Sequence, residues 1–206
     1  MSSHVDRRAL RGQETRLRIL DAAREMLLER GAGATSTRCI AEEAGVPLSL
    51  VHYHFGGMQP LLVAVLERQD EELLERQRAL YAGPGPLAEK WRTACEFLDE
   101  DIGSGYVRVL YELWAAGLAD DELRAAWRAN MAQWRDLLTA VFEEWGETIE
   151  GELPMSPRAI ATLVANVFQG IEIELLAGVT PEEAPHREVL DTLGELIARA
   201  EGSASG

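Results

Sequence analysis

The chain has 206 residues, with 35 acidic against 20 basic side chains and a formal net charge of −15. Hydrophobic residues make up 47% of it, which excludes wholesale disorder and suits one large or two small domains around a buried core. The basic start MSSHVDRRALRGQ lacks an apolar h-region, and no uninterrupted apolar run reaches the roughly 18 residues of a membrane helix, so a cytoplasmic location and no membrane partner are expected.

The first amphipathic helix is read over Gln13 to Arg30. Ile19, Leu20, Ala23, Met26 and Leu27 share one of its faces, and Gly31 ends it. Residues 36–55, STRCIAEEAGVPLSLVHYHF, then read as two short helices joined by a sharp turn. Ser36 or Thr37 can cap the first, which runs to about Ala44. Gly45 accepts the positive φ of a sharp exit, and Pro47 presets φ for the first turn of the next helix. At about 100° per residue, Val51 and Phe55 point one way, while Leu48, Ser49, His52 and Tyr53 fall on the opposite half. The outer group mixes apolar, hydroxyl, imidazole and phenol, which suit thymine methyls, base edges and phosphates. The spacing fits a helix-turn-helix that docks its second helix in the major groove, although an ordinary helical hairpin shares it.

The context is more specific. The stretch RLRILDAAREMLLERGAGATSTRCIAEEAGVPLSLVHYHFGGMQPLL resembles the N-terminal domain of TetR-family (tetracycline-repressor-like) transcriptional regulators. The resemblance covers roughly residues 13–66 and rests on separated features that agree in order. It implies phosphate contacts by Thr37 and Arg38 and groove reading by Pro47, Leu48, Ser49 and Leu50. It also implies aromatic and histidine contacts by His52, Tyr53 and His54. Two departures stand out. Met58 replaces a lysine that commonly grips a phosphate, and Leu48 and Leu50 replace residues that are often polar. Both shift readout from hydrogen bonds toward methyl contact.

Charge is unevenly spread. Residues 1–60 hold eight arginines and seven acids, whereas the remainder holds 12 basic and 28 acidic groups. Arginine suits bidentate phosphate contact. Arg7, Arg8 and Arg11 are read as a short arm before the first helix, either reaching DNA or solvated. The acidic remainder disfavours nonspecific adhesion to DNA. Cys39 and Cys95 are far apart, with no CxxC and no Cys/His cluster. Reduced, buried thiols are therefore expected, with neither metal nor cofactor.

Six further helices follow. Met58 to about Tyr81 is one long helix, stopped by Gly83-Pro84-Gly85-Pro86. Leu87 to Ile102 carries Trp91, Ala94, Cys95 and Leu98 on one face. Tyr106 to Leu118 is apolar nearly all round except for Arg108 and Glu112, and is read as central and buried. Asp120 to Gly146 has a stripe of Leu123, Trp127, Met131, Trp134, Leu138, Val141, Phe142 and Trp145. That stripe serves either as plain core or as an aromatic wall for a small effector. Ser156 and Pro157 open the next helix, whose apolar face includes Val164, Phe168 and Ile171. Pro185 to Ala200 is the last. Glu174, at the edge of the apolar arc, needs a partner, either a cationic effector or an arginine such as Arg108. Candidate effector residues are Trp91, Cys95, Tyr111, Trp114, Trp127, Met131, Trp134, Phe168 and Glu172.

The expected fold is all-α, with about nine helices: an N-terminal three-helix DNA-binding domain, 1–57, and a C-terminal effector-binding and dimerisation domain, 58–206. The expected function is DNA-binding transcriptional regulation by a homodimer. Its partners would be a palindromic double-stranded operator and a small-molecule effector that releases a repressor. The resemblance places the dimer contact in the last two helices. Two rivals remain. A helical protein-binding adaptor would need the stripe of the seventh helix exposed. An α-helical enzyme has no supporting motif: GxSxG, P-loop, HExxH and dinucleotide fingerprints are all absent, so no catalytic residues are expected.

Overall fold

A computed structural model describes residues 2–149 and 152–203. Among the described residues there are nine α-helices, one 3₁₀ turn and no strand. The helices are α1 Ser2–Arg30, α2 Thr37–Glu43, α3 Leu48–Phe55, α4 Met58–Ala82 and α5 Leu87–Gly103, followed by α6 Tyr106–Gly117, α7 Asp121–Gly146, α8 Pro157–Leu176 and α9 His186–Ser203. The 3₁₀ turn is Ala32–Ala34. The all-α expectation therefore holds. One boundary differs: α1 begins at Ser2 instead of Gln13, so Arg7, Arg8 and Arg11 lie in helix rather than in an extended arm.

The chain divides into two compact units. One joins Met1–Asp70 with Arg108–Arg128; the other joins Glu71–Val107 with Ala129–Gly206. Compactness thus groups α6 and the start of α7 with the helix-turn-helix, a division different from the 57/58 boundary read in the sequence. Helix α4 supplies residues to both units.

In the first unit, α1 packs on α2 and α2 on α3. Ile19, Ala23 and Leu27 of α1, Ile40 of α2 and Val51 of α3 are fully sealed from solvent. Gly31 ends α1 at φ 73°. Its backbone leaves room for Glu112 of α6, whose Oε2 accepts a hydrogen bond from the Ala32 N–H at 2.8 Å. A Cβ at position 31 would meet that same oxygen at 2.9 Å. The contact ties α6 to the loop that leads into the helix-turn-helix. Helix α6 is less central than its composition suggests. Val107, Val109 and Leu113 are sealed, but Trp114 is 39% exposed. Its apolar residues therefore form one packed face and one open face.

In the second unit α5 packs against α8 and α9. Trp91 fixes that contact: its indole N–H donates to the Leu190 carbonyl at 2.8 Å. A Cβ at Gly194 would meet Trp91 Cδ1 at 2.9 Å, so the approach depends on glycine there. Glu201 of α9 caps α5, accepting from the Leu87 N–H at 2.6 Å and the Ala88 N–H at 3.3 Å. Ser156 caps α8 by accepting from the Ala159 N–H, with Pro157 at the first helical position, as its sequence indicates. Glu174 meets the ring of His186, with Nε2 2.5 Å from Oε2, rather than Arg108. The pair is local to α8 and the start of α9, a contact that spacing does not reveal.

The Gly31 contact predicts a specific pattern in thermal melts. Gly31→Ala combines a positive φ with a clash against Glu112 and should destabilise the chain by about 1–3 kcal/mol. Glu112→Ala removes both the clash and the hydrogen bond to the Ala32 N–H, so the double variant should lose less than the sum of the two single losses. An unaltered melting temperature in the single variant would refute the packing described.

Candidate nucleic-acid interface and effector site

The interface is built on two helices too short to persist alone in water, seven residues in α2 and eight in α3. Ser36 caps α2, its side chain accepting from the Cys39 N–H at 3.3 Å. Helix α2 closes with the Val46 N–H donating to the Ala41 carbonyl, and Gly45 turns the chain at φ 62°. Arg18 of α1 locks this turn from outside. Its Nη2 donates to the Ala44 carbonyl at 2.5 Å and approaches the Gly45 carbonyl at 3.4 Å. Carbonyls at a helix C-terminus lack intrahelical donors, and a guanidinium both satisfies them and complements the helix dipole. Pro47 precedes α3, and Gly56 ends it at φ 84°.

This frame fixes the rotation of α3. Val51 is fully buried and Phe55 nearly so, with the Arg16 guanidinium 5.1 Å from the Phe55 ring centroid. On the other side Tyr53 is 80% and Leu48 40% exposed, and Ser49, His52 and Pro47 are open to solvent. Leu50 and His54 are half-buried. The His54 ring meets Tyr53 edge-on at 5.1 Å. His52 Nδ1 lies 3.4 Å from the Gly56 carbonyl, which can only accept, so a proton on Nδ1 leaves Nε2 to face solvent. Arg38 is exposed and pairs with Glu42 one turn on, at 3.3 Å, while Thr37 is half-buried. An exposed i,i+4 pair is worth only about 0.3–0.5 kcal/mol, so a phosphate can take Arg38 at small cost. Met58 is half-buried at the start of α4.

The structure thus brings Leu48, Ser49, His52 and Tyr53 onto one open surface, as their helical phase requires. Sequence reasoning missed Arg18 and Arg16. Both lie in a row of charged α1 positions, but only the fold reveals that one serves the turn and the other a buried ring.

The nine candidate effector residues fall into separate groups. In the second unit Phe168 stands between two indoles, with centroids 5.7 Å from Trp91 and 6.2 Å from Trp134. Trp91, Cys95 and Phe168 belong to its sealed core. Met131 is buried, and its Sδ accepts from the Gln169 amide at 2.9 Å; Glu172 is half-buried. In the first unit Trp114 lies 6.3 Å from Tyr111 and 6.5 Å from Trp127. A cavity of about 560 Å³ does exist in the second unit, but its walls come from the ends of α4, α5, α7 and α9, and none of the nine lines it. Burial pushes the Cys95 thiol up to about 11. At pH 8, one native thiol per chain, Cys39, should therefore react with a chromogenic disulfide, and the second only after unfolding in guanidinium. Two rapidly reacting native thiols would contradict the burial of Cys95.

Comparison with known proteins bears on both halves of the chain. The family profile of tetR-family bacterial regulatory proteins matches residues 19–65. The profile of the C-terminal part of BetI-type transcriptional repressors matches residues 89–200. An uncharacterized HTH-type transcriptional regulator of Mycobacterium tuberculosis is 26% identical, over 91% of this chain and 94% of its own length. Among solved structures, the reduced form of NemR from Escherichia coli superposes with a TM-score of 0.75 at 20% identity, covering 87% of this chain and 95% of that one. The transcriptional regulator FadR from Bacillus subtilis, in complex with stearoyl-CoA, gives 0.71 at 17% identity, covering 88% and 96%.

Proposed function

Since this chain belongs to the TetR family of helix-turn-helix transcriptional regulators, we propose that it is a dimeric repressor that leaves a palindromic operator when a small-molecule effector binds. The observation that carries the reading is the rotation of α3, which buries Val51 and Phe55 and presents Leu48, Ser49, His52 and Tyr53 outward. In the major groove, Leu48 would meet thymine methyls, while Ser49 and His52 would meet base edges or phosphates. Pro47 and Leu50 flank that contact, Tyr53 and His54 lie along the backbone, and Thr37 and Arg38 hold phosphate. The functional division we assign is a DNA-binding part, 1–57, and an effector-binding and dimerisation part, 58–206. Acting on DNA, the protein works in the cytoplasm.

Dimerisation is assigned to α8 and α9. Each is apolar on two faces. One face, carrying Phe168, Ile171, Leu190 and Ile197, is buried within the chain, and the other is open, with Leu163 and Ile173 50%, Val189 46% and Leu196 52% exposed. By length and mean hydropathy, 1.5, α8 is apolar enough to cross a membrane, yet only 28% of its window is buried in the chain. Arg158, Glu172 and Glu174 interrupt it. A second copy of the same two helices would cover the open face and set two recognition helices about 34–36 Å apart. The adaptor alternative lacks its surface, since Leu123, Met131, Leu138 and Phe142 of the α7 stripe are buried. The relatives are regulators, which favours operator binding over catalysis.

Two measurements test this. Fluorescence anisotropy with promoter DNA should give a sequence-specific complex whose log affinity falls linearly with log salt, by about 0.9 per phosphate neutralised. His52→Ala with Tyr53→Ala should weaken it about tenfold or more while the chain stays dimeric. A salt-independent complex would sink the operator reading. Separately, Leu163→Glu with Leu196→Glu should yield a folded monomer of 22.8 kDa by light scattering, with operator affinity lost. A double variant that remains a dimer would move the interface elsewhere.

A further inference from the structure

The cavity of about 560 Å³ in the second unit lies within the size range of small-molecule sites, and its walls divide by chemistry. Apolar surface comes from Tyr81 at the end of α4, Leu87 at the start of α5, and Leu137, Val141 and Trp145 on α7. Tyr81, Val141 and Trp145 also pack against the sealed core, so this surface is backed by rigid structure. Burial raises the Tyr81 hydroxyl above its ordinary pKa, which keeps it a neutral phenol at any physiological pH.

The cavity is balanced in charge where the chain is acidic. Two cations, Arg78 and Lys90, and two carboxylates, Glu144 and Glu201, line it. Glu201 is committed to the α5 N-terminus through its bonds to the Leu87 and Ala88 N–H groups. Lys90 is held in place by donating one proton to the Tyr81 carbonyl at 2.8 Å, which leaves its charge without a carboxylate. Arg78 is exposed and has no ion pair among the described residues, whereas Arg76, Arg158, Arg187 and Arg199 of the same unit all meet acids. Two cations without an ion pair among the described residues therefore stand beside Glu144, while the Glu201 carboxylate is turned to the α5 N-terminus. In a chain of net charge −15 a neutral local balance is an exception.

The Gly83-Pro84-Gly85-Pro86 link maintains the opening. Gly85 turns at φ 106°, and a Cβ there would meet Glu89 Oε2 at 3.3 Å. The link therefore stays compact, and Gly85 and Pro86 form part of the wall instead of filling the space.

We propose that this cavity binds a small organic anion with an apolar body, its carboxylate held by Arg78 and Lys90 and its chain against Tyr81, Val141 and Trp145. Charge-assisted hydrogen bonds to a carboxylate choose the head group, and apolar burial supplies the rest of the affinity. The site rests on the regulator reading in one respect: it gives the effector a chemical class and a place. Arg78 and Tyr81 belong to α4, whose first turns hold Leu61 and Leu62, buried in the unit that carries the helix-turn-helix. An anion that prefers one setting of α4 would bias operator affinity, and operator would weaken anion binding by the same factor.

Calorimetric titration of the full-length protein with octanoate, octanol and octylammonium tests the assignment, since the three share a chain and differ in head group. Octanoate should bind once per chain, at least about tenfold tighter than either analogue. Arg78→Glu should weaken it about tenfold or more. Ala140→Trp, at an exposed α7 position on the cavity wall, should abolish binding with the melting temperature unchanged. Equal affinity for octylammonium, undiminished binding in Ala140→Trp, or no octanoate binding would each overturn the proposal. Operator titration in parallel separates the two readings. Octanoate binding by a protein that ignores operator DNA leaves the cavity assigned and removes the regulator reading; operator binding with no octanoate complex does the reverse.

Discussion

The recognition surface depends on one constraint: two helices of seven and eight residues must be held in a fixed rotation by something other than themselves. Burial of Ile40, Ala41, Val51 and Phe55 supplies most of the hold. Arg18 adds the detail that matters, because it ties the turn carbonyls of Ala44 and Gly45 to α1. A slip of one residue in α3 would rotate every side chain by about 100° and put His52 or His54 where Tyr53 stands. Sequence preference for DNA is therefore a property of the packing beneath the helix as much as of the residues on top.

The same economy explains how an acidic protein can approach a polyanion. Four of the eight arginines of residues 1–60 are engaged within the chain. Arg18 is engaged with carbonyls, Arg16 with the Phe55 ring, Arg24 with Glu25, and Arg38 with an exposed Glu42 that it can leave. Arginines held in this way add little to a long-range field, and the acidic remainder disfavours nonspecific contact with phosphate. Leu48 is 40% exposed on the open face of α3, and Met58 is half-buried at the start of α4.

Periodicity and capping made the helices legible. Ser36, Gly45, Pro47, Gly56, Ser156 and Pro157 mark boundaries through local backbone chemistry, and each does in the structure what its type dictates. The outward face of α3 was legible for the same reason, since phase within a helix needs only spacing. What spacing cannot carry is the partner across the fold. Nothing near Glu112 in the sequence points to the Ala32 N–H, nothing near Glu201 to the start of α5, and nothing near Glu174 to His186. The apolar composition of α6 was likewise ambiguous: a helix apolar all round is central only if every face is covered, and Trp114 stays 39% exposed.

The α7 stripe illustrates why aromatic content alone does not separate core from pocket wall. Leu123, Met131, Leu138 and Phe142 are sealed and Trp134 meets Phe168 edge-on, so most of the stripe fills space, and only its end, Val141 and Trp145, reaches a cavity wall. An aromatic residue whose faces and edges already meet other side chains offers a ligand nothing that its neighbours do not already take. Cavities arise instead where helices end and side chains splay, as at the last turns of α4 and α7 beside the Gly-Pro link. There the polar groups of the helix termini and the charges that complement them lie beside apolar walls, and this juxtaposition, rather than aromatic density, lets a site tell one small molecule from another.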